Sequence, residues 1–571
     1  MKKLLFTLTA LFIIIITACI HKDTVVEQIG IEKIDRMPFH PEPYYMLDWS
    51  EKAVNFDEVV FSLQPDTGEA LIWFDNSGRN FPQMTFGLYT VIGDVRQGPA
   101  KNNGEFHEAI NSLGALMSAG LSGIDKTSQD GYNYVQMVQN YFNSGTGWNI
   151  MMNNTCPAVA MLGGGYGRDW WYDVFPNVLY YAVCDLFPGV DRADSLQRII
   201  AGQFYKADSV LAGDYDYSYF DYGEMKGRRN QIPFQQDAAA GHAWVLYNAY
   251  MKFGDERFLK GAISALTALE NQDESRFYEV LLPFGAYTAA RLNAEQGMDF
   301  DILKLLNWTF EGCSAQDGRT GWGVIDGKWG KFDVSGMVGN RLQDGGYGFL
   351  MNTFDLAWPL VPMVRYDPRY AEAIGHWMLN AANTARLFYP YEIPDQNQWL
   401  PDSKALTRNV IAYEGLKKTD AYNKEALRGV SPVALGDGPN WIAGQPEESM
   451  FSVYGSAHVG IFGSVIRETN VEQILQINCL ATDFYRDKAY PTFLYYNPYE
   501  EEKAIEFYSG NEEVDLYDAL SHQMVAKKVS GSGRFAIPAR SAVLLVVLPA
   551  GIQLRNEENR VYAGDVVVAY M

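Results

Sequence analysis

Several carboxylic acids lie in segments of the chain that could do acid–base chemistry. Asp169 and Asp173 follow a glycine-rich run, Glu279 begins an otherwise apolar helical segment, and Asp344 precedes two glycines. Two carboxyl groups, one protonated and one ionised, can protonate a leaving oxygen and activate a nucleophile. Cleavage of a glycosidic bond is therefore a reaction that these residues could support. Asp173 with Glu279 is the first pair to consider, and Asp344 and Asp169 follow.

Each carboxylate also has a structural explanation. Asp169 could cap a helix, and Glu279 could form a buried ion pair with Arg276 or Arg291. Burial on an inner helix would raise the pKa of Glu279 and suit it to act as an acid. Other carboxylates in comparable positions are Asp221, Glu224, Asp237 and Asp333.

A second chemistry would use a neutral base. His458, or Tyr222 in its place, could abstract a proton from carbon 5 of a uronic acid, while Arg229 or Asn154 neutralises the carboxylate. His242 is a weaker candidate, and either histidine could instead be a core residue. Convergence of Arg168, Arg229 and Arg341 in one cleft would favour this lyase hypothesis.

Aromatic residues and glycines are concentrated in the long segments between predicted helices. This mixture is typical of a cleft that stacks sugar rings and hydrogen-bonds their hydroxyls. The run Gly163–Gly167 lacks the Lys-Ser/Thr pair and the spacing of nucleotide-binding loops. The predicted ligand-contacting residues are Trp148, Asn154, Trp170, Trp171, Tyr222, Arg229, Tyr278, Trp322, Trp329 and Asp333.

Helical periodicity predicts the elements that position these residues. The predicted pairs are 105–123 with 130–142, 169–187 with 192–211, 235–253 with 256–271, 276–294 with 299–312, 344–361 with 366–385, and a less clear pair between 408 and 480. Short turns alternate with long segments, so antiparallel pairing places every long segment on one face. A further helix is predicted over 47–60, and small residues after Asp237 indicate a closely packed inner helix.

The pattern changes to period two after about residue 483, with strands predicted at 492–496, 503–507 and 542–547. The predicted fold is mainly α, an (α/α)6 toroid followed by a C-terminal antiparallel β-sandwich. Its divisions are a leader over 1–19, a tether over 20–43, the toroid over 44–482 and the sandwich over 483–571.

The N-terminus predicts export. Lys2 and Lys3 precede an apolar run that ends in Ile16-Thr17-Ala18-Cys19, which resembles a bacterial lipobox and predicts lipidation at Cys19. The protein is then expected at the cell envelope, periplasmic or on the cell surface, and bound to the membrane through this anchor alone. An ordinary signal peptide remains the alternative.

Composition limits the partners. The formal net charge of -23 argues against nucleic acid as a partner. Four further cysteines show no paired zinc spacing, and the seven histidines are scattered, so no metal or other cofactor is expected. A structural calcium bound by aspartates, disulfide pairing and the oligomeric state stay open.

Taken together, this arrangement resembles the six-hairpin toroid glycosidases and polysaccharide lyases of bacteria. The segments Gly346–Phe354 and Arg369–Asn380 are also similar to a group of bacterial lipoproteins. The resemblance implies a glycoside hydrolase that acts on a polysaccharide or oligosaccharide. The alternatives are a lyase that cleaves uronic-acid glycans by β-elimination and a glycan-binding lipoprotein without catalysis.

Overall fold

The computed structural model describes residues 25–66, 68–160, 162, 164–313 and 321–571, without the side chain of Asp344. Helix accounts for 39% of the chain and strand for 20%, so helices dominate and several antiparallel sheets accompany them. The predicted leader and Cys19 lie outside the described residues. Within the described ranges, every helix is too short or too polar to traverse a lipid bilayer.

The α-helices of the described ranges are α1 (Glu32–Asp35), α2 (Trp49–Val60), α3 (Ala109–Leu121), α4 (Tyr134–Met137), α5 (Pro157–Ala160), α6 (Trp170–Leu186), α7 (Ala193–Leu211), α8 (Ala238–Phe253), α9 (Glu256–Glu270), α10 (Leu282–Gln296), α11 (Ile302–Glu311), α12 (Leu350–Tyr366), α13 (Ala371–Ala385), α14 (Gly438–Trp441), α15 (Val453–Ser456) and α16 (Gly460–Val465). Helices α2, α3 and α6 to α13 confirm predicted helices. The segment 130–142 instead forms α4 and a 3-10 turn, and the region 408–480 contains only short helices.

Five long helices and one short pair of helices form a closed ring of contacts. Helix α3 packs against α6, α6 against α8, α8 against α10, and α10 against α12. Helices α15 and α16 contact both α12 and α3, and thereby close the ring. Helices α7, α9, α11 and α13 each pack against the ring helix that precedes them in the sequence, and α2 packs against α16.

Local sequence explains the short turns between paired helices. Gly254 ends α8 with a φ of +67°, a conformation that costs glycine little. Asp255 then caps α9, because its side chain accepts a hydrogen bond from the backbone N–H of Arg257 at 3.0 Å. Two residues therefore reverse the chain.

Aromatic side chains meet inside the ring, and each comes from a different helix. The rings of Phe284 and Trp358 are edge to face at 5.0 Å, and Trp244 meets Trp358 at 5.7 Å. Phe175 packs on Trp358 at 6.3 Å and on His458 at 6.1 Å. Helices α6, α8, α10 and α12 and the α15–α16 junction therefore share one core.

The strands are β1 (Ile72–Asp75), β2 (Thr85–Leu88), β3 (Tyr219–Asp221), β4 (Lys226–Arg228), β5 (Trp322–Val324), β6 (Lys328–Trp329), β7 (Phe332–Asp333), β8 (Val338–Asn340), β9 (Tyr347–Phe349), β10 (Ala412–Tyr413), β11 (Gly415–Lys417), β12 (Val433–Leu435), β13 (Phe451–Ser452), β14 (Ile466–Glu468), β15 (Leu475–Asn478), β16 (Thr492–Tyr496), β17 (Lys503–Asp518), β18 (Gln523–Ile537), β19 (Ala542–Pro549), β20 (Leu554–Glu557), β21 (Arg560–Ala563) and β22 (Val566–Tyr570). Strands β16, β17 and β19 confirm the predicted C-terminal strands.

The long segments contain an unpredicted antiparallel sheet in the order β12-β11-β9-β8-β5. Strand β9 leads directly into α12, so the sheet lies beside the N-terminal end of that helix. A Cβ on Gly339 would lie 2.1 Å from the carbonyl oxygen of Tyr347, so glycine permits the close approach of β8 and β9. Period-two alternation cannot reveal strands of two or three residues.

The two ends of the chain pack against the helical body. At the C-terminal end, β14-β15-β16-β19-β17-β18 form one sheet and β20-β21-β22 another, and the first of these begins at Ile466 rather than near 483. At the N-terminal end, the backbone N–H of Val26 bonds to Leu520 and that of Ile29 bonds to Arg369, both at 2.8 Å. Residues 25–43, predicted as part of a tether, therefore lie against the body, with Ile31 and Ile34 fully buried.

Substitution of Gly114 tests the packing of the ring. A Cβ at this position of α3 would lie 2.2 Å from Nε2 of buried His458, so Gly114→Ala should lower the free energy of unfolding by about 1–3 kcal/mol. The matched control is Gly202→Ala in α7, where a Cβ meets no atom within 4 Å. We expect this control to stabilise by about 0.5–1 kcal/mol through helix propensity. Equal thermal unfolding of the two variants would contradict the described packing.

Candidate active site

A cavity of about 630 Å³ lies at the N-terminal ends of the ring helices. Its lining includes residues at the start of α3, α6, α12 and α15, and residues of the sheet that contains β9 and β11. The titratable groups that could do acid–base chemistry are carboxylates. Those that line the cavity are Glu108, Asp169, Glu279, Glu414 and Asp437.

Glu414 lies between β10 and β11 and is held from several directions. The hydroxyl of Tyr454 donates to Oε1 of Glu414 at 2.6 Å, and the backbone N–H of Asp437 donates to Oε2 at 2.9 Å. The backbone of Glu414 accepts from Leu350, the first residue of α12, at 3.2 Å. The side chain is partly buried and therefore retains access to the cavity.

Burial and the neighbouring charge of Asp437 raise the pKa of Glu414 to about 7. The hydrogen bonds from Tyr454 and from the Asp437 backbone, and the charge of Lys417, act in the opposite direction but are smaller. Burial likewise raises the pKa of Tyr454, which keeps this hydroxyl a neutral donor. Glu414 can therefore hold a proton near neutral pH, as a general acid requires.

Asp437 is fixed by a second layer of polar contacts. Its Oδ1 accepts a hydrogen bond from the hydroxyl of Tyr422 and lies 3.5 Å from Nζ of Lys417. Lys417 is buried and its ammonium lies 4.1 Å from the centre of the Tyr347 ring. These contacts hold a negative charge beside Glu414.

Glu279 lines the cavity immediately before α10 and has an uncommon backbone conformation. Its φ is +64°, which a residue with a Cβ rarely adopts unless its surroundings hold it there. The side-chain amide of Asn352 donates to the Glu279 carbonyl at 3.0 Å and to Oε2 at 3.3 Å. The charge of Glu279 also contributes to the raised pKa of Tyr454. Glu279 and Glu414 therefore approach the same tyrosine and the same first turn of α12.

The remaining lining carboxylates are held by fixed donors. Gln235 donates from Nε2 to Oδ1 of Asp169 at 2.9 Å. Glu108 accepts from the Thr90 hydroxyl at 2.5 Å and from Nδ2 of Asn153 at 3.2 Å. Both carboxylates are more than nine-tenths buried, whereas Glu279 and Glu414 are more accessible.

Two aromatic pairs form part of the wall, one tilted and one stacked. Trp171 and Tyr172 lie with their ring centres 4.0 Å apart, and Trp322 and Phe349 with theirs 5.2 Å apart. Such surfaces, mixed with amides and carboxylates, suit a ligand with both apolar faces and hydroxyl groups.

Of the predicted catalytic residues, the described structure brings Asp169 and Glu279 together in this cavity. Asp173 lies on α6, is 0% exposed, and accepts from the backbone N–H of Tyr166 at 3.0 Å. It therefore supports the loop before α6 instead of lining the cavity. The side chain of Asp344 lies outside the described part of the structure.

His458 and its partner belong to the core. Nδ1 of His458 lies 2.6 Å from Oδ1 of Asp355, and both side chains are buried. Tyr222 lies 2.6 Å from Nε2 of His242, where burial lowers the pKa of this histidine to about 3. Neither proposed base of the lyase hypothesis is among the cavity-lining residues.

The arginines do not converge as the lyase hypothesis requires. Arg168 lines the cavity. Arg229 is exposed and its guanidinium lies 4.6 Å from the centre of the Phe234 ring, while Arg341 lies 3.9 Å from Glu311.

Only Trp171 and Trp322 of the predicted ligand-contacting residues line the cavity. Most of the others are buried elsewhere in the protein. The buried ones are Trp148, Asn154, Trp170, Tyr222, Tyr278, Trp329 and Asp333. Arg229 is the exposed exception. Composition indicated long segments that contribute residues to the cavity, but it could not tell which of their side chains face the cavity.

The sequence analysis missed Glu414, Asp437 and Tyr454. One signal was present: Glu414 is the only charged residue in the apolar run Val410–Leu416. A single carboxylate in such a run must be buried with partners or face a cavity. Asp221 and Glu224, which were considered, instead belong to the β3–β4 turn, where Asp221 accepts two backbone hydrogen bonds and Glu224 pairs with Arg228.

In the part of the chain that the structure describes, no group of three or more His, Cys, Asp and Glu side chains is placed to hold a metal ion. Cys156, Cys184, Cys313 and Cys479 are buried, and none forms a disulfide bond in this part of the chain.

Comparisons with known proteins give distant structural similarity. No protein-family model matches the chain, and no curated protein matches it. A GH127 β-L-arabinofuranosidase from Geobacillus stearothermophilus T6 is similar over 92% of this chain and 85% of its own, with 11% identity and a TM-score of 0.36. A protein described as a glycoside hydrolase matches over 80% and 77%, with 9% identity and a TM-score of 0.36.

A third structure, a GH127 β-arabinofuranosidase, is similar over 93% of this chain and 84% of its own. The identity is 10% and the TM-score 0.35. All three similar proteins are glycoside hydrolases by description. At these values, the similarity identifies neither the substrate nor the catalytic residues of the present chain.

Replacement of Asp173 tests how its buried carboxyl group contributes to the stability of the protein. Burial raises the pKa of Asp173 well above its usual value, so the folded state binds this proton more tightly than the unfolded state. Its stability contribution is present at low pH and is lost as pH rises above about 4. Asp173→Asn mimics the protonated form, so the melting temperature of the variant should gain on wild type as pH rises from 4 to 8. If the melting temperatures of the variant and the wild type differed by the same amount at every pH in this range, the raised pKa of Asp173 would be contradicted.

Proposed function

We propose that the protein is a glycoside hydrolase in which Glu414 is the general acid and Glu279 is the second catalytic carboxylate. The observation that carries this proposal is the environment of Glu414. It lines the cavity, and its pKa is raised to about 7 beside a fixed Asp437. A partly accessible carboxyl group with a raised pKa in a cavity is typical of a catalytic acid, and this supports catalysis over binding alone.

In the proposed reaction, the bond between the anomeric carbon and the leaving oxygen breaks, and its electron pair stays on that oxygen. Glu414 gives its proton to the oxygen, so the leaving sugar departs as a neutral alcohol. In an inverting reaction, a water oxygen bonds to the anomeric carbon and gives its proton to Glu279. In a retaining reaction, Glu279 bonds to the anomeric carbon as the leaving oxygen departs. Water then bonds to that carbon and gives its proton to Glu414, and the bond to Glu279 breaks to restore its carboxylate. Nuclear magnetic resonance of the first-formed anomer distinguishes these two courses.

Two architectural assignments belong to the same proposal. The closed order of contacts among the ring helices supports an (α/α)6 toroid, and the C-terminal sheets support a β-sandwich packed against it. The lipobox-like sequence that ends at Cys19 supports attachment to the cell envelope. A glycan is the proposed partner, and the membrane contact would be the lipid alone.

Loss of either catalytic carboxylate should abolish most glycan hydrolysis. Glu414→Gln and Glu279→Gln are each expected to lower kcat about 10²–10⁴-fold, the usual contribution of a positioned acid or base. Glu224→Gln is the matched control, because Glu224 is exposed and pairs with Arg228. Released reducing sugar from a panel of neutral and uronate-containing glycans provides the measurement. Full activity of both variants would reject the proposed pair.

The pH dependence should report Glu414. A general acid with a pKa of about 7 loses its proton as pH rises, so kcat/KM should decline above pH 7. Asp437→Asn removes the charge that helps to raise this pKa and should move the decline to lower pH. Lys417→Met removes a charge that lowers it and should move the decline to higher pH. Shifts of both variants in the same direction would contradict the electrostatic assignment.

A further inference from the structure

Trp441 presents an exposed aromatic surface to the cavity. It lines the cavity from the end of α14, yet its accessible fraction is 57%. A large apolar side chain with this exposure at the edge of a polar cavity is a candidate for ligand contact. The mechanism assigned to Glu414 and Glu279 gives Trp441 no role.

The indole ring has a rigid cationic support. The guanidinium of Arg96 lies 5.2 Å from the centre of the Trp441 ring and 5.2 Å from that of Phe106. Arg96 is held by Asp94 through contacts of 2.9 Å from Nε and 2.6 Å from NH2, and it donates from NH1 to the Leu162 carbonyl at 2.5 Å. Arg96 is therefore a fixed support for the ring.

The segment that carries Trp441 is fixed at both ends. Gln445 donates to Oδ1 of Asp94 at 3.0 Å and accepts from the backbone N–H of Val95 at the same distance. The backbone N–H of Trp441 donates to the Asp437 carbonyl at 2.8 Å. A ring that is already in place loses little conformational entropy when a ligand stacks on it.

The same segment contacts the general acid. The backbone N–H of Asp437 donates to Glu414, and Asp437 precedes the four-residue helix that ends at Trp441. The general acid acts on the leaving oxygen, so groups on its side of the cavity face the leaving part of the substrate. The position of Trp441 thus associates it with the sugar that departs.

The local charges favour an uncharged ring. The positive charge of Arg96 is paired with Asp94, and the nearby cavity groups Glu414 and Asp437 are acidic. The negative charge of Asp437 would repel an anionic sugar, whereas the hydroxyl groups of a neutral sugar can donate hydrogen bonds to the carboxyl oxygens of Asp437 and Glu414. Sugar rings also have apolar faces that an indole can cover.

We propose that Trp441, supported by Arg96, is the platform that stacks the leaving-group sugar of a neutral glycan substrate. This inference rests on the proposed hydrolase function, because it assigns the leaving-group side from Glu414. It names a binding site and a specificity-determining residue for that reaction.

The test compares two substrates that share the sugar transferred to water. One is a neutral disaccharide from a panel of plant and bacterial glycans, and the other is the corresponding glycosyl fluoride, whose leaving group has no ring. Trp441→Ala should lower kcat/KM for the disaccharide about tenfold, the scale of one stacking contact, and change that for the fluoride less than twofold. Trp441→Phe should restore most of the loss.

The control variant is Tyr508→Ala, which removes a 75% exposed ring from β17. Equal loss on the two substrates, or no loss on the disaccharide, would overturn the platform while leaving the hydrolase intact. If the wild-type protein hydrolyses nothing in the panel, the proposed function fails. Fluorescence titration with the same disaccharides then tests the platform by itself. Quenching that is lost in Trp441→Ala would support the platform. Equal quenching in the wild type and the variant, or none in either, would overturn it.

Discussion

Trp244, Phe284 and Trp358 meet edge to face inside the ring and join three neighbouring helices, α8, α10 and α12. These large rings bury area that no pair of small side chains could replace, and their tilted contacts set the spacing of the helices. Phe175 extends the cluster to α6 and His458. Four ring helices and His458 therefore share one packed aromatic cluster.

The surroundings of each carboxyl group set its protonation. Carboxylates near the helix N-termini lose water, which favours their protonated forms, while backbone N–H groups and cations favour the ionised forms. At Glu414, burial and Asp437 outweigh Tyr454 and Lys417, and the pKa rises to about 7. At Asp326, in the turn between β5 and β6, Lys33 and Arg36 outweigh burial and the pKa falls. Local partners, and not residue type, decide which carboxyl group can serve as an acid.

Much of the helical framework can be predicted from the sequence, whereas less of the candidate site can. Periodicity of 3.6 located α6 to α13 because each of these helices buries one face or nearly all of its length. Glu279 and Asp169 were found because they sit beside the starts of inner helices. Glu414 was missed because it lies between two short strands, β10 and β11, which pair with strands far away in the chain. Asp173, the first catalytic candidate from the sequence, is buried on α6 and is not among the cavity-lining residues, and its place in the sequence does not indicate this.

Long-range partners also explain why the site cannot be assembled from local patterns. Glu414 depends on Tyr454 and Asp437, and Glu279 depends on Asn352, which follows it by 73 positions. Each partner is held in turn by an element with its own packing, such as α12 or the segment tied to Asp94 by Gln445. The acid and the exposed indole of Trp441 are thus connected through Asp437 within one short stretch of backbone. This arrangement holds the proposed proton donor and the aromatic surface in a fixed relation, because Glu414 and Trp441 are each hydrogen-bonded to the backbone of Asp437.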